Sequence, residues 1–172
     1  MIAGQGTAGL EIAEDLIARG IVPDAALAPC SGGGLIAGCA LALKESFPDL
    51  PIYAVEPEGF NDTARSLAAG QRVGNPGGHT SRCDALLTPK PGDLTFSINR
   101  RLLAGGLAVS DGAAFRALAR LFGDLKLVAE PSGVVALAAA LEGIFDCRGK
   151  TVVIVCSGGN IDPGLFANAL NR

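Results

Sequence analysis

The chain has 172 residues, of which 49% are hydrophobic and 18% are charged, and this composition excludes a disordered tail. The net charge is −3 and no basic run occurs, so we expect no binding to nucleic acid or to an anionic membrane surface. No apolar stretch reaches the roughly 18 residues of a membrane span, and the first residues do not resemble a secretion signal.

Predicted strands and helices alternate along most of the chain. Apolar or β-branched runs predict the strands, and alanine-rich stretches with helical periodicity predict the helices. In chain order we predict helix 8–19, strand 25–28, helix 35–43, strand 51–55, a short helix ending at 69, helix 93–103, strand 107–109, helix 112–122, helix 134–141, strand 150–156 and a last helix from about 163. Residues 1–3 look like the tail of a strand. Thr7 is placed to cap the first helix, and Ser132 is placed to cap helix 134–141.

These elements predict an α/β fold with three layers, in which helices cover both faces of a mostly parallel sheet. The strand over residues 150–156 has no polar alternation, which is typical of a strand with both faces covered. We expect residues 1–172 to form a single domain. Because a domain seldom begins at the last residue of a strand, we expect that domain to be incomplete.

The cysteine pattern bears on the cellular compartment. The chain has five cysteines, and no pair of them has the C-x-x-C spacing. An odd and scattered set argues against a disulfide framework and against a structural zinc site. We therefore expect a reducing, cytoplasmic setting.

A glycine loop follows the strand predicted over residues 25–28. Ser31 is followed by Gly32, Gly33 and Gly34, and a helix begins near Leu35. This arrangement aims successive backbone N–H groups and the positive end of a helix dipole at one point, which favours an anion, most often a phosphate. A tight turn alone needs two glycines, so the third glycine favours the phosphate interpretation.

One class of phosphate ligand that fits the loop is a dinucleotide. Gly32, Gly34 and Ala37 satisfy the loose spacing of a dinucleotide-binding loop, and Glu56 stands about 20 residues further on, where a ribose-binding acid is expected. This alternative leaves a second glycine-containing loop, at residues 157–160, without a role. Both loops follow predicted strands, and in a parallel sheet ligands bind at the carboxyl ends of strands.

Four short motifs support another class of ligand. They are Cys-Ser-Gly-Gly-Gly-Leu at 30–35, Val-Glu-Pro at 55–57, Glu-Pro-Ser-Gly at 130–133 and Cys-Ser-Gly-Gly-Asn at 156–160. In this order they resemble the threonine/serine dehydratases, which are pyridoxal-phosphate enzymes of the tryptophan synthase β fold type and to which serine racemase is related. The resemblance covers essentially the whole chain. It implies the large-domain portion of such an enzyme without its N-terminal half, and the conversion of a hydroxy amino acid to a 2-keto acid and ammonia by β-elimination.

The resemblance also implies roles for particular residues. The backbone amides of residues 31–35 would bind the 5′-phosphate of pyridoxal phosphate, and the Ser157 hydroxyl would hydrogen-bond the pyridine nitrogen. The alternative for Ser157 is that it only caps the last loop. Glu56, the carbonyl of Phe60 and Asp62 resemble a divalent-cation site whose oxygen ligands suit Mg²⁺ or Ca²⁺. The alternative for these residues is a solvated glutamate and a helix-capping aspartate.

No catalytic residue is assigned within the chain. The resemblance implies a lysine that forms a Schiff base with the cofactor in a Ser-x-Lys motif, and none of the four lysines has that setting: Lys44, Lys90, Lys126 and Lys150. We therefore expect the chain alone to be inactive and to act on an amino acid only when it is completed. We also expect it to form a homo-oligomer or to pair with a missing N-terminal half. The alternatives are a non-catalytic remnant that binds a phosphate ligand or a partner, and a dinucleotide-binding domain.

Overall fold

A four-stranded parallel sheet lies at the centre of the computed structural model, which describes residues 1–171. Its strands are β1 (Ala25–Pro29), β2 (Ile52–Pro57), β3 (Gly105–Val109) and β4 (Val152–Ile154). They are arranged in the order β3-β2-β1-β4, and all three pairings are parallel. The carboxyl ends of the four strands therefore lie at the same edge of the sheet.

Helices cover both faces of this sheet. They are α1 (Ile2–Ala18), α2 (Gly34–Ser46), α3 (Asp62–Ala69), α4 (Asp93–Leu102), α5 (Asp111–Leu125), α6 (Val135–Leu141) and α7 (Pro163–Leu170). Every residue of β1 is buried: Ala25 and Leu27 face a core shared with α5 and α6, whereas Ala26 and Ala28 face a core shared with α1 and α2. This confirms the predicted three-layer α/β fold and explains why β1 shows no polar alternation.

Within residues 1–171, no helix is both long and apolar enough to cross a membrane.

The prediction of a strand tail at residues 1–3 is wrong, because α1 already begins at Ile2. Helix α1 packs closely along α2, and this tertiary contact outweighs the weak strand propensity of so short an apolar run. Thr7 consequently lies inside the helix, where its hydroxyl donates to the carbonyl of Gly4 at 2.7 Å instead of capping an end.

The prediction that Ser132 caps a helix is also wrong. A 3₁₀ turn (Pro131–Val134) precedes α6, and the N-terminus of α6 receives no side-chain hydrogen bond. The Ser132 hydroxyl instead accepts a hydrogen bond from the backbone N–H of Ala85 at 3.1 Å. Strand β4 is shorter than predicted, three residues instead of seven, and within the described chain it pairs only with β1.

Candidate functional site

A cavity of about 330 Å³ lies at the carboxyl ends of β1 and β4. These two strands are hydrogen-bonded neighbours, so the loops that follow them open onto the same edge of the sheet. The structure brings together at this cavity all six residues that the sequence assigned to cofactor binding: Ser31, Gly32, Gly33, Gly34, Leu35 and Ser157. The two glycine-containing loops therefore share one site, although they are far apart in the sequence.

The first loop has the backbone geometry of an anion-binding site. Gly33 adopts the left-handed conformation, with φ 86° and ψ 6°, and α2 begins at the next residue. No acceptor among residues 1–171 takes a hydrogen bond from the N–H groups of residues 31–35. A left-handed residue before a helix N-terminus forms a concave set of N–H donors, and the helix dipole adds positive potential. The loop can therefore hold a phosphate without any cationic side chain.

Contacts from other segments fix this loop, and the sequence analysis missed them. The hydroxyls of Ser31 and Thr88 are hydrogen-bonded at 2.8 Å, so the Ser31 side chain is held against a neighbouring loop. From α4, the Thr95 hydroxyl donates to the Gly32 carbonyl and the side chain of Asn99 lies against Gly33. Nothing in the local sequence around Thr95 indicates which loop its hydroxyl contacts.

Backbone hydrogen bonds hold the second loop in place. The Ser157 N–H donates to the carbonyl of Gly133 at 3.1 Å, and the Glu130 N–H donates to the carbonyl of Gly158 at 3.0 Å. A Cβ on Gly133 would lie 2.6 Å from the Ser157 carbonyl oxygen, so only glycine allows this approach. Within residues 1–171 the Ser157 hydroxyl has no hydrogen-bond partner, so it caps no turn and is available to a ligand in the cavity.

Glu56 lies at the end of β2 and is fully buried. Its two carboxylate oxygens accept hydrogen bonds from the backbone N–H groups of Thr63 and Ala64, each at 2.9 Å. The carboxylate thus satisfies donors in the first turn of α3 and places its negative charge at the positive end of that helix. The alternative of a solvated glutamate is wrong for this residue.

Asp62 and Phe60 lie next to this carboxylate along the chain. Asp62 is buried, its Oδ1 accepts a hydrogen bond from Asn75 at 2.6 Å, and its Oδ2 has no partner within the described residues. Phe60 is half-buried. No cluster of three or more His, Cys, Asp or Glu side chains that could hold a metal ion occurs in residues 1–171. A cation here would therefore depend on two carboxylates and a carbonyl.

The burial of Glu56 predicts a pH-dependent stability. Desolvation raises the pKa of Glu56 from 4.5 to about 7, although its hydrogen bonds to α3 oppose the shift. Because the folded state then holds a proton that the unfolded state has lost, the free energy of unfolding should fall as pH rises from about 5 to about 8, by up to about 3 kcal/mol. Urea denaturation across this range measures the slope.

The control for this prediction is Glu56→Gln, which keeps the side-chain size and removes the titration. Between pH 5 and pH 8 we expect the free energy of unfolding of this variant to fall less steeply with pH than that of the wild type, whatever its absolute stability. Burial also raises the pKa of the Asp62 carboxyl, and Asp62 is present in both proteins, so the comparison isolates the titration of Glu56. A wild-type stability that rises with pH over this range would contradict the prediction.

The chain is similar in sequence to known proteins over most or all of its length. The family of pyridoxal-phosphate dependent enzymes matches residues 1–158. The L-threonine ammonia-lyase of Thermotoga maritima is 38% identical over 172 residues, which are 100% of this chain and 41% of that protein. The serine racemase of Oryza sativa subsp. indica is 39% identical over 178 residues, covering 99% of this chain and 50% of that protein.

Two solved structures are also similar to this chain, both in fold and in sequence. The crystal structure of a threonine deaminase from T.th. matches with a TM-score of 0.88 and 42% identity, over 94% of this chain and 57% of that one. Maize serine racemase matches with a TM-score of 0.86 and 36% identity, over 99% of this chain and 53% of that one. The chain thus spans about half the length of the curated relatives it matches.

Proposed function

The chain belongs to the family of pyridoxal-phosphate dependent enzymes, and from that premise we propose that it is the C-terminal part of a threonine/serine dehydratase. The reaction would be β-elimination of a hydroxy amino acid to a 2-keto acid and ammonia. The observation that carries the proposal is the single cavity lined by residues 31–35 and Ser157. The family match favours this interpretation over a dinucleotide-binding domain.

In this proposal the chain's own residues bind and orient the cofactor. The N–H groups of residues 31–35 would hold the 5′-phosphate, supported by the dipole of α2. The chemistry that pyridoxal phosphate supplies when bound is the withdrawal of electrons from the Cα of an amino acid. The Ser157 hydroxyl would donate to the pyridine nitrogen. Because a hydroxyl carries no negative charge, it would leave that nitrogen mostly unprotonated, which suits elimination better than transamination.

None of the four lysines lines the cavity within the described chain. The ammonium groups of Lys44, Lys126 and Lys150 donate to backbone carbonyls near them in the sequence, and Lys90 is exposed. We therefore infer that the group that removes the Cα proton comes from another polypeptide segment. The 172 residues alone would bind the cofactor without catalysing the reaction.

A binding experiment on the 172-residue chain tests this proposal. Pyridoxal phosphate should stabilise the fold against heat, and pyridoxal, which lacks the phosphate, should stabilise it much less, since stabilisation follows ligand affinity. Borohydride treatment followed by mass spectrometry should find no covalent adduct, and no ammonia should form from serine or threonine. NAD serves as the comparison ligand.

Three other outcomes of this binding experiment would each contradict one part of the proposal. An adduct mapped to one of the four lysines would overturn the inference about the missing proton-transfer group. Stabilisation by NAD, with none by pyridoxal phosphate, would favour the dinucleotide alternative. Stabilisation by pyridoxal phosphate and pyridoxal alike would remove the phosphate role of residues 31–35.

The remaining segment of the enzyme would also complete the sheet. Strand β4 is an edge strand, its three residues are only half-buried, and β1 is its one partner among the described strands. An edge strand with apolar residues on both faces is a site for pairing with another strand. We propose that an N-terminal half or a second subunit covers this edge. In this proposal residues 1–172 form one incomplete domain.

We also propose a reducing, cytoplasmic setting, because the chain has five cysteines and no pair of them has the C-x-x-C spacing.

Glu56, Phe60 and Asp62 are proposed as a site for Mg²⁺ or Ca²⁺. The support is the buried Oδ2 of Asp62, which has no partner in the described residues, together with the buried carboxyl group of Glu56. Oxygen ligands of this kind suit both cations. Adding either cation at about pH 8 should therefore recover stability that the wild type loses on deprotonation, and it should not do so in Glu56→Gln.

A further inference from the structure

Helix α4 places two side chains against the back of the glycine loop. The Thr95 hydroxyl donates to the carbonyl of Gly32 at 2.5 Å. The Asn99 amide donates to the carbonyl of Gly33 at 3.4 Å, and Asn99 is only 2% exposed. Two consecutive carbonyls of the loop are thus hydrogen-bonded to residues one helical turn apart on the same face of one helix.

These contacts determine where the loop N–H groups point. In a trans peptide the carbonyl and the following N–H point in opposite directions. The Gly32 carbonyl, held by Thr95 and by the N–H of Gly92 at 3.4 Å, therefore turns the N–H of Gly33 away from α4. The Gly33 carbonyl, held by Asn99 and by the N–H of Ala37 at 3.0 Å, turns the N–H of Gly34 away in the same manner. Both N–H groups are left free for a ligand.

The chemistry of Thr95 indicates that it positions the loop rather than binding the ligand. Thr95 itself lines the cavity, but its hydroxyl has one hydrogen, which is taken by the backbone carbonyls of Gly32 at 2.5 Å and Gly92 at 3.2 Å. No hydrogen remains for an anion, and the oxygen lone pairs would repel one. The effect of the hydroxyl on a phosphate would therefore pass through the peptide bond between Gly32 and Gly33.

Asn99 has a feature that is unfavourable for stability alone. Its Oδ1 is buried and has no hydrogen-bond partner within residues 1–171. An unpaired buried amide oxygen destabilises the folded state, and asparagine is a weak helix former. A leucine of similar size would avoid both costs. The Asn99 amide is thus better explained by what its Nδ2 does for Gly33 than by a contribution to the core.

We propose that Thr95 and Asn99 are positioning residues, which hold the carbonyls of Gly32 and Gly33 on α4 so that the next N–H groups remain directed at a bound phosphate. The inference rests on the proposed function of residues 31–35 in phosphate binding. It adds to the site two residues of α4 that would act on the ligand only through the loop backbone.

The test compares Thr95→Val, Thr95→Ser and Asn99→Leu with the wild type, using pyridoxal phosphate, inorganic phosphate and pyridoxal as probes. Thr95→Val removes the hydroxyl at constant shape and should weaken binding of both phosphate-containing probes by about tenfold, whereas Thr95→Ser keeps the hydroxyl and should retain binding within about threefold. Binding of pyridoxal should be the same in all four proteins.

Asn99→Leu separates positioning from stability. We expect its free energy of unfolding to equal or exceed that of the wild type, while its affinity for pyridoxal phosphate falls by about tenfold. A variant that is more stable and binds equally well would overturn the role of Asn99. If Thr95→Val does not fold, Asn99→Leu alone decides the proposal.

The same binding measurements distinguish failure of the proposed phosphate-binding function from failure of the positioning role alone. If the wild-type chain binds neither pyridoxal phosphate nor inorganic phosphate, the phosphate role of the loop fails, and the positioning role fails with it. If the wild type binds both probes and the variants bind them equally, only the positioning role is overturned.

Discussion

Gly33→Ala is expected to weaken binding of pyridoxal phosphate by about 100-fold, because two effects act on the same residue. Gly33 has a φ of 86°, a conformation that costs an L-residue about 1–2 kcal/mol. A Cβ at this position would also lie 2.7 Å from Nδ2 of Asn99 and 3.1 Å from Cβ and the hydroxyl of Thr95. The loop or α4 would have to move, and the N–H groups of residues 33 and 34 would turn away from the ligand.

The size of this effect follows from the number of donors that are misplaced. A hydrogen bond to a charged group contributes about 1.5–3 kcal/mol, so misdirecting one or two such bonds accounts for the expected loss of about 100-fold. Isothermal titration with pyridoxal phosphate measures the loss directly. Pyridoxal serves as the probe that should be unaffected, because it has no phosphate for the loop to bind.

Gly143→Ala is the matched control. Gly143 has a similar φ of 70°, and no heavy atom lies within 4 Å of the position that its Cβ would take. This variant therefore has the same backbone cost, but it has no clash and lies outside the cavity lining. We expect a loss of about 1 kcal/mol in stability and unchanged affinity. Equal affinities in Gly33→Ala and Gly143→Ala would contradict the assignment of the loop.

The conformation of the glycine loop at residues 31–34 was predictable because its determinants are local. Ser31, the three glycines and the start of a helix are consecutive in the sequence, and each contributes through its own backbone. The left-handed residue that the loop requires is Gly33, which adopts that conformation without strain. The predicted strands and helices were also mostly confirmed, since apolar runs of this length have few alternatives in a small α/β protein.

The meeting of the two loops could not be predicted from local sequence. It depends on β1 pairing with β4, in a register that sets Leu27 opposite Ile154. Nothing in either run of apolar residues specifies this neighbour. The rule for parallel sheets predicted that both loops lie at one edge, and the resemblance to a known family added that Ser157 and residues 31–35 contact one ligand. The contacts of Thr95 and Asn99 were missed for the same reason, because they depend on how α4 lies against the loop.

The incorrect capping predictions have a physical cause as well. Short polar side chains cap helices by default, but a tertiary partner can take them instead, as the Ala85 N–H does with Ser132. In the first turn of α3 the opposite occurs, because a residue outside the helix caps it. The Glu56 carboxyl group, at the end of β2, accepts hydrogen bonds from two backbone N–H groups of that turn. A cap that comes from another element leaves no motif in the sequence of the helix.

Gly38→Val is expected to lower the free energy of unfolding by more than about 4 kcal/mol, because α1 and α2 contact each other through their backbones. A Cβ on Gly38 would lie 2.6 Å from the backbone nitrogen of Gly6, and one on Gly9 would lie 2.8 Å from the Cα of Cys39. These neighbours are backbone atoms, which cannot rotate away as a side chain would. The two helices would have to separate.

The control is Gly123→Val, in an exposed part of α5 with no heavy atom within 4 Å of the added Cβ. Valine and glycine are both weak helix formers, so we expect a change of no more than about 0.5 kcal/mol there. Gly38→Ala should fall between the two variants. Urea denaturation measures all three. If Gly38→Val were as stable as Gly123→Val, residues 2–18 would not pack on α2 as described. Helix α2, which begins at the glycine loop, would then lack the support that α1 gives it.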